Sequence, residues 1–577
     1  MQATNFKTRI KQFDFENADI ENIKNSTQGE DWPVVYVLSG DKEAYIGETQ
    51  NAYERMKQHK NNPERKTLTK ISLMTSDSFN KSAILDIENM LITHMHADGK
   101  FKLQNLNGGQ SKLHNYYQRA LYQDSFSELR KQLKRHGLVD HDLFEVQNTE
   151  IFKYSPFKQL TNEQYSLVNN LVANYIDSLS NTSRQDVIVN GAAGTGKTLV
   201  AIYFINLLIG MYNGQYDISD IDHIDDSDSF AYKYKMIKAV QNGGPISLAL
   251  VEPVPAFRET VKKIFKSVKE LKHIKVISPS EACDKKYDVI VVDEAHRLKR
   301  RVKLANNGTH IAHCNQLRLP IDSTELDWLK VQANKLLILF YDHTQQVKES
   351  DVSKEDFDKI IDKKEAIKYF LRSQLRVKGG NEYINFVKSI FKDKPLKYEV
   401  TNGYDFKIYD SFLEMMNEIK NKNNEYDGLC RIVSGLCFNK RMKVRDNART
   451  NYNQDFDFEI EGIKLCWNEN FNDSSFINGS ENIDKIGCLY TCQGYDLNVA
   501  GVIIGPDVRY SKENDCIEFD VSKFIDKNSK SDDINKTISN IKHAYEVLLT
   551  RGIYGTYVYA YDDDLREYLK SLVLKKA

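Results

Sequence analysis

Asp186-Val-Ile-Val-Asn-Gly-Ala-Ala-Gly-Thr-Gly-Lys-Thr-Leu-Val200 decides the fold, because it combines an apolar strand, a glycine-rich loop and the start of a helix. The loop fits the phosphate-binding pattern in which two glycines precede Lys-Thr. We expect the phosphate to meet Gly191, Gly194, Thr195, Gly196, Lys197 and Thr198. In that pattern Lys197 reaches the β- and γ-phosphates and Thr198 holds Mg²⁺. The alternative is a glycine turn that only joins a strand to a helix.

A second apolar strand supplies the acidic partner of this loop. Tyr287-Asp-Val-Ile-Val-Val-Asp-Glu-Ala-His296 ends in two adjacent carboxylates, at the strand end where a parallel sheet places ligand-binding groups. We expect Asp293 to hold Mg²⁺, and Glu294 to orient and activate the attacking water. With the phosphate loop upstream, this pair predicts nucleotide hydrolysis.

Length and composition set the frame for these motifs. A chain of 577 residues predicts three or four domains at ~150 residues each. The formal net charge is −1, so a nucleic-acid site must come from local clustering of basic residues. The first fifteen residues do not have the apolar core of a secretion signal, and the longest apolar runs are strand-sized. We expect a cytoplasmic protein with no membrane partner.

The cysteines give no indication of a metal site. All eight lie between Cys283 and Cys516, and none forms a Cys-x-x-Cys pair. Cys488 and Cys492 have the wrong spacing for a zinc ribbon. We therefore predict reduced, mostly buried thiols.

The first hundred residues contain an ordered set of polar side chains on predicted elements. Two strands around a Gly40-Asp41 turn predict a hairpin, and two helices follow it. Each residue alone has an ordinary structural explanation. Together the set resembles the GIY-YIG endonuclease domain, and its members are Tyr36, Tyr45-Ile-Gly47, Arg55, His59, Glu88 and Asn105.

This resemblance implies a metal-dependent nuclease. It makes Glu88 the ligand of one divalent metal, Mg²⁺ or Mn²⁺, and assigns the water nucleophile and the scissile phosphate to Tyr36, Tyr45, Arg55 and His59. Such chemistry is reasonable, because a metal and a cation can stabilise a pentacovalent phosphorane. The first motif reads Val34-Val35-Tyr36 instead of Gly-Ile-Tyr, so a binding domain without nuclease activity stays an alternative.

Further motifs after residue 156 resemble those of superfamily 1 helicases. The resemblance makes Gln164 an adenine-reading residue, although Thr161 and Gln164 equally fit a helix capping box. A strand followed by Glu252-Pro-Val-Pro-Ala-Phe-Arg258 resembles a motif that touches single-stranded nucleic acid, or is a simple strand exit. The resemblance implies that Gln345 senses the γ-phosphate and that Arg376 and Arg551 are catalytic arginines supplied to the nucleotide, and Asp496 replaces the usual glutamate of its motif. Arginines from a second domain would couple hydrolysis to domain motion.

The closest pattern is that of bacterial helicase-like ATPases related to the Schlafen motor domain. We expect an α/β protein in which a small α/β GIY-YIG domain precedes two RecA-like parallel-sheet domains. The predicted bounds are 1–112 for the nuclease, 113–155 for a helical connector, and 156–368 and 369–577 for the motor. In the connector, the basic cluster Arg130–Arg135 is either a phosphate contact or, more commonly, a solvated helix face. Asn439 to Asp457 is interpreted as a loop.

The resulting hypothesis is an ATP- and Mg²⁺-dependent motor that delivers nucleic acid, which we expect to be DNA, to the nuclease. Restriction, anti-phage defence and repair would all use these parts. Two alternatives stay open. ATP binding could gate the nuclease as a switch without unwinding, which short inserts between motifs favour, or the nuclease domain could be inactive and only bind. The sequence does not determine the oligomeric state.

Overall fold

The structure, a computed structural model, gives the conformation of most of the chain. It describes residues 7–574 except 27–28, 106–115, 182, 193, 215–226, 305, 343–348, 362–365, 401–402, 440–442, 447–448, 453–454, 468–474, 493–494 and 527–529. None of the helices in these ranges is both long and apolar enough to cross a membrane. The chain divides into two units. The first comprises Met1–Ile176, Ile202–Gly244 and Lys263–His273, and the second comprises Asp177–Ala201, Pro245–Lys262 and Ile274–Ala577.

The first unit is built around a five-stranded sheet of order β1-β4-β2-β3-β5. Its strands are β1 Arg9–Asp14, β2 Val34–Ser39, β3 Glu43–Thr49, β4 Lys70–Thr75 and β5 Lys102–Leu103. The apolar strand β2 lies at the centre and is buried along its whole length. It pairs with β3 in an antiparallel hairpin that sets Tyr36 opposite Gly47, which confirms the predicted hairpin.

Helix α3 (Lys81–Asp98) packs against this sheet, and several of the helices in this part of the chain begin at polar caps. Their bounds are α1 Asn17–Lys24, α2 Ala52–Asn61, α3 Lys81–Asp98, α4 Arg119–Arg135, α5 Leu143–Gln147, α6 Glu150–Lys153 and α7 Asn162–Ser180. The side chain of Asn51 caps α2, and that of Asn80 caps α3. Gly99 ends α3 in the left-handed conformation, with φ of 77°.

The predicted connector packs closely on α3. Arg130 is 1 % exposed, and its guanidinium pairs with the buried carboxylate of Asp98. Arg119 pairs with the buried Asp86 of the same helix at 3.2 Å. Both explanations of the basic cluster are therefore wrong for Arg130, because a buried cation requires a buried partner. The solvated interpretation holds for Lys131 and Arg135, whose side chains are 64 % and 70 % exposed.

The second unit contains a six-stranded parallel sheet of order β11-β6-β10-β9-β7-β8. Its strands are β6 Gln185–Gly191, β7 Leu248–Val251, β8 Lys275–Ile277, β9 Tyr287–Val292, β10 Ala333–Tyr341 and β11 Ile367–Leu371. The helices between β6 and β11 along the chain are α8 Lys197–Tyr212, α9 Ser227–Asn242, α10 Pro255–Ser267, α11 Asn307–Gln316, α12 Glu325–Gln332 and α13 Lys354–Ile361. Of these, α9 belongs to the first unit, and α8 and α10 have residues in both units. Strands β9 and β10 are apolar along almost their whole length, as strands buried on both faces must be.

Strand β11 changes the interpretation of the segment that was expected to open the second motor domain. Residues Phe370 and Leu371 belong to this strand, which runs parallel to β6 at the edge of the first sheet. The sheet therefore extends beyond the boundary predicted at residue 368. Only the residues after Leu371 leave the sheet.

A second parallel sheet follows, of order β13-β23-β20-β14-β19. The strands of this region are β12 Tyr398–Glu399, β13 Asp405–Ile408, β14 Cys430–Ser434, β15 Lys443–Asp446, β16 Arg449–Tyr452, β17 Phe458–Ile460, β18 Ile463–Leu465, β19 Ile486–Cys488, β20 Leu497–Ile504, β21 Val508–Ser511, β22 Cys516–Phe519, β23 Gly552–Ala560 and β24 Val573–Leu574. Its helices are α14 Gly380–Ile390, α15 Phe412–Glu425, α16 Ser475–Asn478, α17 Leu489–Cys492, α18 Ile534–Leu549 and α19 Asp563–Ser571. The mixed α/β class with parallel sheets is confirmed.

Two sequence interpretations are settled in this region. The stretch 439–457, interpreted as a loop, contains the antiparallel strands β15 and β16, so the backbone forms a hairpin there. All eight cysteines are free, and six of them are buried, which confirms the predicted thiols. Among the described residues, no group of three or more His, Cys, Asp or Glu is placed to hold a metal ion.

Candidate nucleotide and nuclease sites

The phosphate loop joins β6 to α8, as its sequence requires. Gly191 ends the strand and Lys197 begins the helix. Gly194 and Gly196 both have φ of 82°, a conformation that residues with a Cβ rarely adopt. The Lys197 ammonium donates to the carbonyls of Gly191 at 2.8 Å and Ala192 at 3.3 Å. It therefore lies inside the curve of the loop.

The paired carboxylates after β9 lie beside this loop. The Thr198 hydroxyl donates to Asp293 Oδ2 at 2.5 Å, so the two predicted magnesium ligands are in direct contact. Burial, and then the charge of Glu294, raise the pKa of Asp293 to about 7. Burial is the largest single effect on Glu294 and raises its pKa, but His296 at 2.9 Å, Lys197 and Arg297 together outweigh burial and lower that pKa. Asp293 is thus the carboxyl that a bound cation would help to ionise.

Two further carboxylates at the same sheet edge were not among the predicted site residues. Glu252 follows β7 and is completely buried, and its Oε1 accepts the Val254 N–H at 2.8 Å. Burial, and then Asp293 and Glu294, raise its pKa well above the ordinary value. Asp342 follows β10 and lies 3.8 Å from the Lys197 ammonium. The sequence signal was the same as for Asp293, because each residue directly follows an apolar strand.

The predicted arginines come from the part of the second unit that follows β11. Arg376 Nε lies 2.5 Å from Asp496 Oδ1. Arg551 is 2 % exposed, and its Nη1 donates to the carbonyl of Tyr495 at 3.3 Å. Burial, and then the charge of Arg376, lower the pKa of Arg551, while Asp496 and Glu294 oppose that effect. The two arginines therefore lie near each other and near the carboxylates of the nucleotide site.

The segment after β11 also contacts the phosphate loop. The Leu375 N–H donates to the Gly194 carbonyl at 2.9 Å. A Cβ on Gly194 would lie 2.2 Å from Oε1 of Gln374, so the glutamine amide covers the Cα of that glycine. Gln374 Oε1 also accepts the Arg376 N–H at 2.6 Å, which ties the arginine to the loop. Sequence reasoning did not identify Gln374.

The residues present fit a magnesium nucleotide. Two glycines of the loop have left-handed backbone conformations, and Thr198 and Asp293 form a hydroxyl–carboxylate pair. The predicted arginines lie near the carboxylates, where they could stabilise phosphoryl charge. Gln345 lies outside the described residues. Gln164 forms the capping box weighed as the alternative, because Thr161 N donates to its Oε1 at 3.1 Å and its own N–H donates to Thr161 Oγ1 at 3.3 Å. An adenine-reading role for Gln164 stays a prediction.

In the first unit, the structure brings the predicted nuclease residues together. The Tyr36 hydroxyl lies 2.8 Å from His59 Nε2 and accepts from Arg55 Nε at 3.2 Å. The rings of Tyr45 and His59 are 4.6 Å apart. Burial, and then Tyr45, raise the pKa of Tyr36 well above its ordinary value, and Glu88 adds to the effect. All five predicted side chains thus interact.

The electrostatics of this cluster favour a neutral imidazole. Burial, and then Arg55 and Arg65, lower the pKa of His59 to about 3. The neutral ring can accept the Tyr36 proton at Nε2. Asn105 holds the facing strand, because its Oδ1 accepts the Ile46 N–H at 3.0 Å. Arg65 was not predicted from the sequence, yet it lies over the ring of Tyr45.

The loop, the paired carboxylates and the arginines of the second unit define a helicase-like ATPase. The model of the Schlafen group 3 DNA/RNA helicase domain matches residues 184–562, and the chain belongs to this family. The match begins just before β6 and ends after β23, so it includes both parallel sheets. The first unit's five-stranded sheet lies outside it.

One further protein sequence and two solved structures are similar to parts of this chain. The uncharacterized protein YPL245W of Saccharomyces cerevisiae is 30% identical over 319 residues, which are 49% of this chain and 64% of that protein. The Arterivirus nonstructural protein 10 helicase in complex with DNA has a TM-score of 0.27 at 12% identity, covering 70% of this chain and 65% of its own. A DEAD box protein of Methanococcus jannaschii has a TM-score of 0.24 at 9% identity, covering 74% and 95%.

Proposed function

We propose that the chain is an ATP-dependent nucleic-acid motor coupled to a metal-dependent GIY-YIG endonuclease that acts on DNA. The observation that carries the nuclease is the contact network of Tyr36, His59 and Arg55 beside Tyr45 and Glu88. The family membership of residues 184–562 supports the motor. Restriction, anti-phage defence and repair are the roles in which such a combination would serve.

In the motor, each group has a separate task. Lys197 binds the nucleotide phosphates, and Thr198 with Asp293 would hold Mg²⁺. When bound, Mg²⁺ neutralises phosphate charge. Glu294 takes the proton of the attacking water, and His296 at 2.9 Å keeps that carboxylate oriented and ionised. Arg376 and Arg551 stabilise charge on the transferred phosphoryl group.

In the nuclease, Tyr36 and His59 form a proton path. The phenol hydroxyl lies 2.8 Å from Nε2 of the neutral imidazole and can donate to it, so the phenol oxygen can accept a proton from water as its own proton passes to His59. Arg55 donates to the same oxygen and favours its partial negative charge. Glu88 would hold the divalent metal, which supplies Lewis-acid stabilisation of the phosphorane. This division of tasks follows the family resemblance.

A switch that gates the nuclease without unwinding is the second candidate. It is supported by the backbone hydrogen bond from Leu375, in the segment after β11, to the carbonyl of Gly194 in the phosphate loop. Nucleotide binding at the loop would move that segment directly. Short inserts between the motifs, which leave little chain for a strand-separating element, also favour the switch.

The test compares plasmid, linear and single-stranded substrates with and without ATP, using wild type, Lys197→Ala and Glu88→Ala. We expect Glu88→Ala to lose cleavage and keep ATPase activity. Lys197→Ala should lose ATPase activity and every ATP effect on cleavage. A strand-displacement assay separates the motor from the switch, since only the motor displaces a strand.

Matched controls make these results specific. Glu54→Ala removes an exposed carboxylate from the same unit and should cleave like wild type. Lys262→Ala removes a lysine that pairs with Glu259 on its own helix at 2.8 Å and should hydrolyse ATP normally. Cleavage by Lys197→Ala equal to wild type in every condition contradicts the coupling. Undiminished cleavage by Glu88→Ala contradicts the nuclease assignment.

A further inference from the structure

Arg65 is a second arginine at the tyrosine–histidine cluster of the first unit, which consists of Tyr36, Tyr45, Arg55 and His59. It ends the short 3-10 helix Pro63–Arg65 between α2 and β4. Its guanidinium carbon lies 4.3 Å from the ring centroid of Tyr45, and its charge contributes to the lowered pKa of His59. Arg55 lies in α2, whereas Arg65 follows that helix. Both arginines nevertheless lie near the rings of Tyr45 and His59.

The guanidinium is held in a fixed orientation. Nη1 donates to Gln104 Oε1 at 3.0 Å. The amide of Gln104 is itself fixed, because its Nε2 donates to Glu43 at 2.9 Å and to Thr67 at 3.2 Å. Stacking on Tyr45 defines the plane of the cation. The side chain is only 11 % exposed.

One donor of this fixed group remains unused. Nε is buried, and no hydrogen-bond acceptor meets it among the described residues. A buried donor without an acceptor is costly, and an acceptor oxygen brought by a ligand would remove that cost. A planar cation with a free N–H at a cluster of this kind matches an oxyanion.

The charge of the cluster identifies the class of oxyanion. Arg55 and Arg65 contribute two positive charges, and His59 is neutral at neutral pH. Glu88 is the one predicted acidic residue at this cluster, and the exposed Glu64 lies 3.4 Å from Arg65 Nη1. A phosphodiester oxygen can take the place of that exposed carboxylate beside Arg65, and a nucleic-acid backbone presents such oxygens at regular spacing.

We propose that Arg65 is a substrate-binding residue that donates to a nonbridging oxygen of a phosphodiester in the DNA substrate. The inference rests on the proposed nuclease function and deepens it. Arg55 already donates to Tyr36, so Arg65 provides a separate contact on the Tyr45 side of the cluster. Its role is to bind the backbone, and it takes no proton.

The experiment uses the full chain with Arg65→Ala, Arg65→Lys and the control Lys66→Ala. Lys66 is the exposed neighbour, so its variant removes the same charge from the same loop. Binding of a duplex oligonucleotide is measured in Ca²⁺ as a function of salt, and cleavage kinetics in Mg²⁺ or Mn²⁺. For Arg65→Ala we expect about tenfold weaker binding and a salt slope lower by about one phosphate contact. KM should rise with it, and Lys66→Ala should resemble wild type.

The outcomes separate this inference from the function on which it rests. Arg65→Lys keeps the charge without the planar donor, so we expect it to be intermediate. Equal binding and equal salt slopes for Arg65→Ala and Lys66→Ala overturn the inference. So does a loss confined to kcat with KM unchanged, because that result makes Arg65 a brace for Tyr45. Absence of Glu88-dependent cleavage in wild type contradicts the nuclease instead, and the binding measurement then still decides the role of Arg65.

Discussion

Position 194 in the phosphate loop requires glycine for two separate physical reasons. Its φ of 82° costs a residue with a Cβ about 1–2 kcal/mol. A Cβ would also lie 2.2 Å from Oε1 of Gln374. We expect Gly194→Ala to weaken binding of a fluorescent ATP analogue by more than about tenfold, because the loop must shift to accept the methyl group.

The control for this prediction is Gly244→Ala. Gly244 has φ of 80°, and a Cβ there would meet nothing within 4 Å. It therefore reproduces the backbone strain without the collision, and nucleotide affinity should be unchanged. Gly194→Ala combined with Gln374→Ala should regain part of the lost affinity. No recovery in the double variant would show that Gln374 is not the obstacle.

The motifs of the sequence predicted which residues meet at a site better than they predicted which other side chains surround those residues. Asp293 and Thr198 were predicted to share a cation, and Thr198 Oγ1 lies 2.5 Å from Asp293 Oδ2. These positions follow from the motifs because a glycine loop and the end of a neighbouring strand leave the two side chains few places to lie. Arg65 was missed because its importance comes from a ring 20 positions earlier in the chain, Tyr45. No local pattern marks such a stacking contact.

At the scale of elements, α3 is held by the helix that the sequence indicated as a connector. Arg130 on α4 and Asp98 on α3 have side chains that are 2 % and 0 % exposed. Removal of one partner leaves an uncompensated buried charge, which costs about 3–5 kcal/mol. We expect Arg130→Met to lower the free energy of unfolding of the first unit by about this amount, measured by chemical denaturation.

A neighbouring ion pair on the same helix gives the matched control. Lys131 and Glu128 are 64 % and 51 % exposed, so Lys131→Ala should change stability by less than about 0.5 kcal/mol. The double variant Arg130→Met with Asp98→Leu should recover much of the loss, since it leaves no buried charge. A loss for Lys131→Ala as large as that for Arg130→Met would mean that the pair is not the cause.

Element boundaries were predictable where the local signal was strong. The β2–β3 hairpin and the apolar strands β9 and β10 follow from turn residues and apolar runs. Strand β11 was misassigned because its membership depends on β6, far upstream. The β15–β16 hairpin was missed because most of its residues are polar, so its strands show no apolar alternation.

At the scale of the whole molecule, the proposed function makes the two arginines the connection between the second parallel sheet and ATP hydrolysis at the first. Arg551 lies where α18 ends and β23 begins, and its pKa responds to Glu294 after β9. We expect Arg551→Lys to lower kcat for ATP hydrolysis by about 10³-fold, because an ammonium cannot reproduce the planar donor. Affinity for an ADP analogue should change less than about threefold.

If the motor and the nuclease are coupled, the loss of ATP hydrolysis in Arg551→Lys should also lower the rate of DNA cleavage. ATP-dependent cleavage by Arg551→Lys should fall with hydrolysis when the motor delivers DNA, but persist when ATP binding alone is the switch. The control is Arg509→Lys, an exposed arginine that pairs with Glu518 at 2.8 Å, which should match wild type in both assays. Unchanged hydrolysis in Arg551→Lys would remove this arginine from the catalytic site, because a buried cation near Glu294 cannot serve the transition state and yet be replaceable without loss.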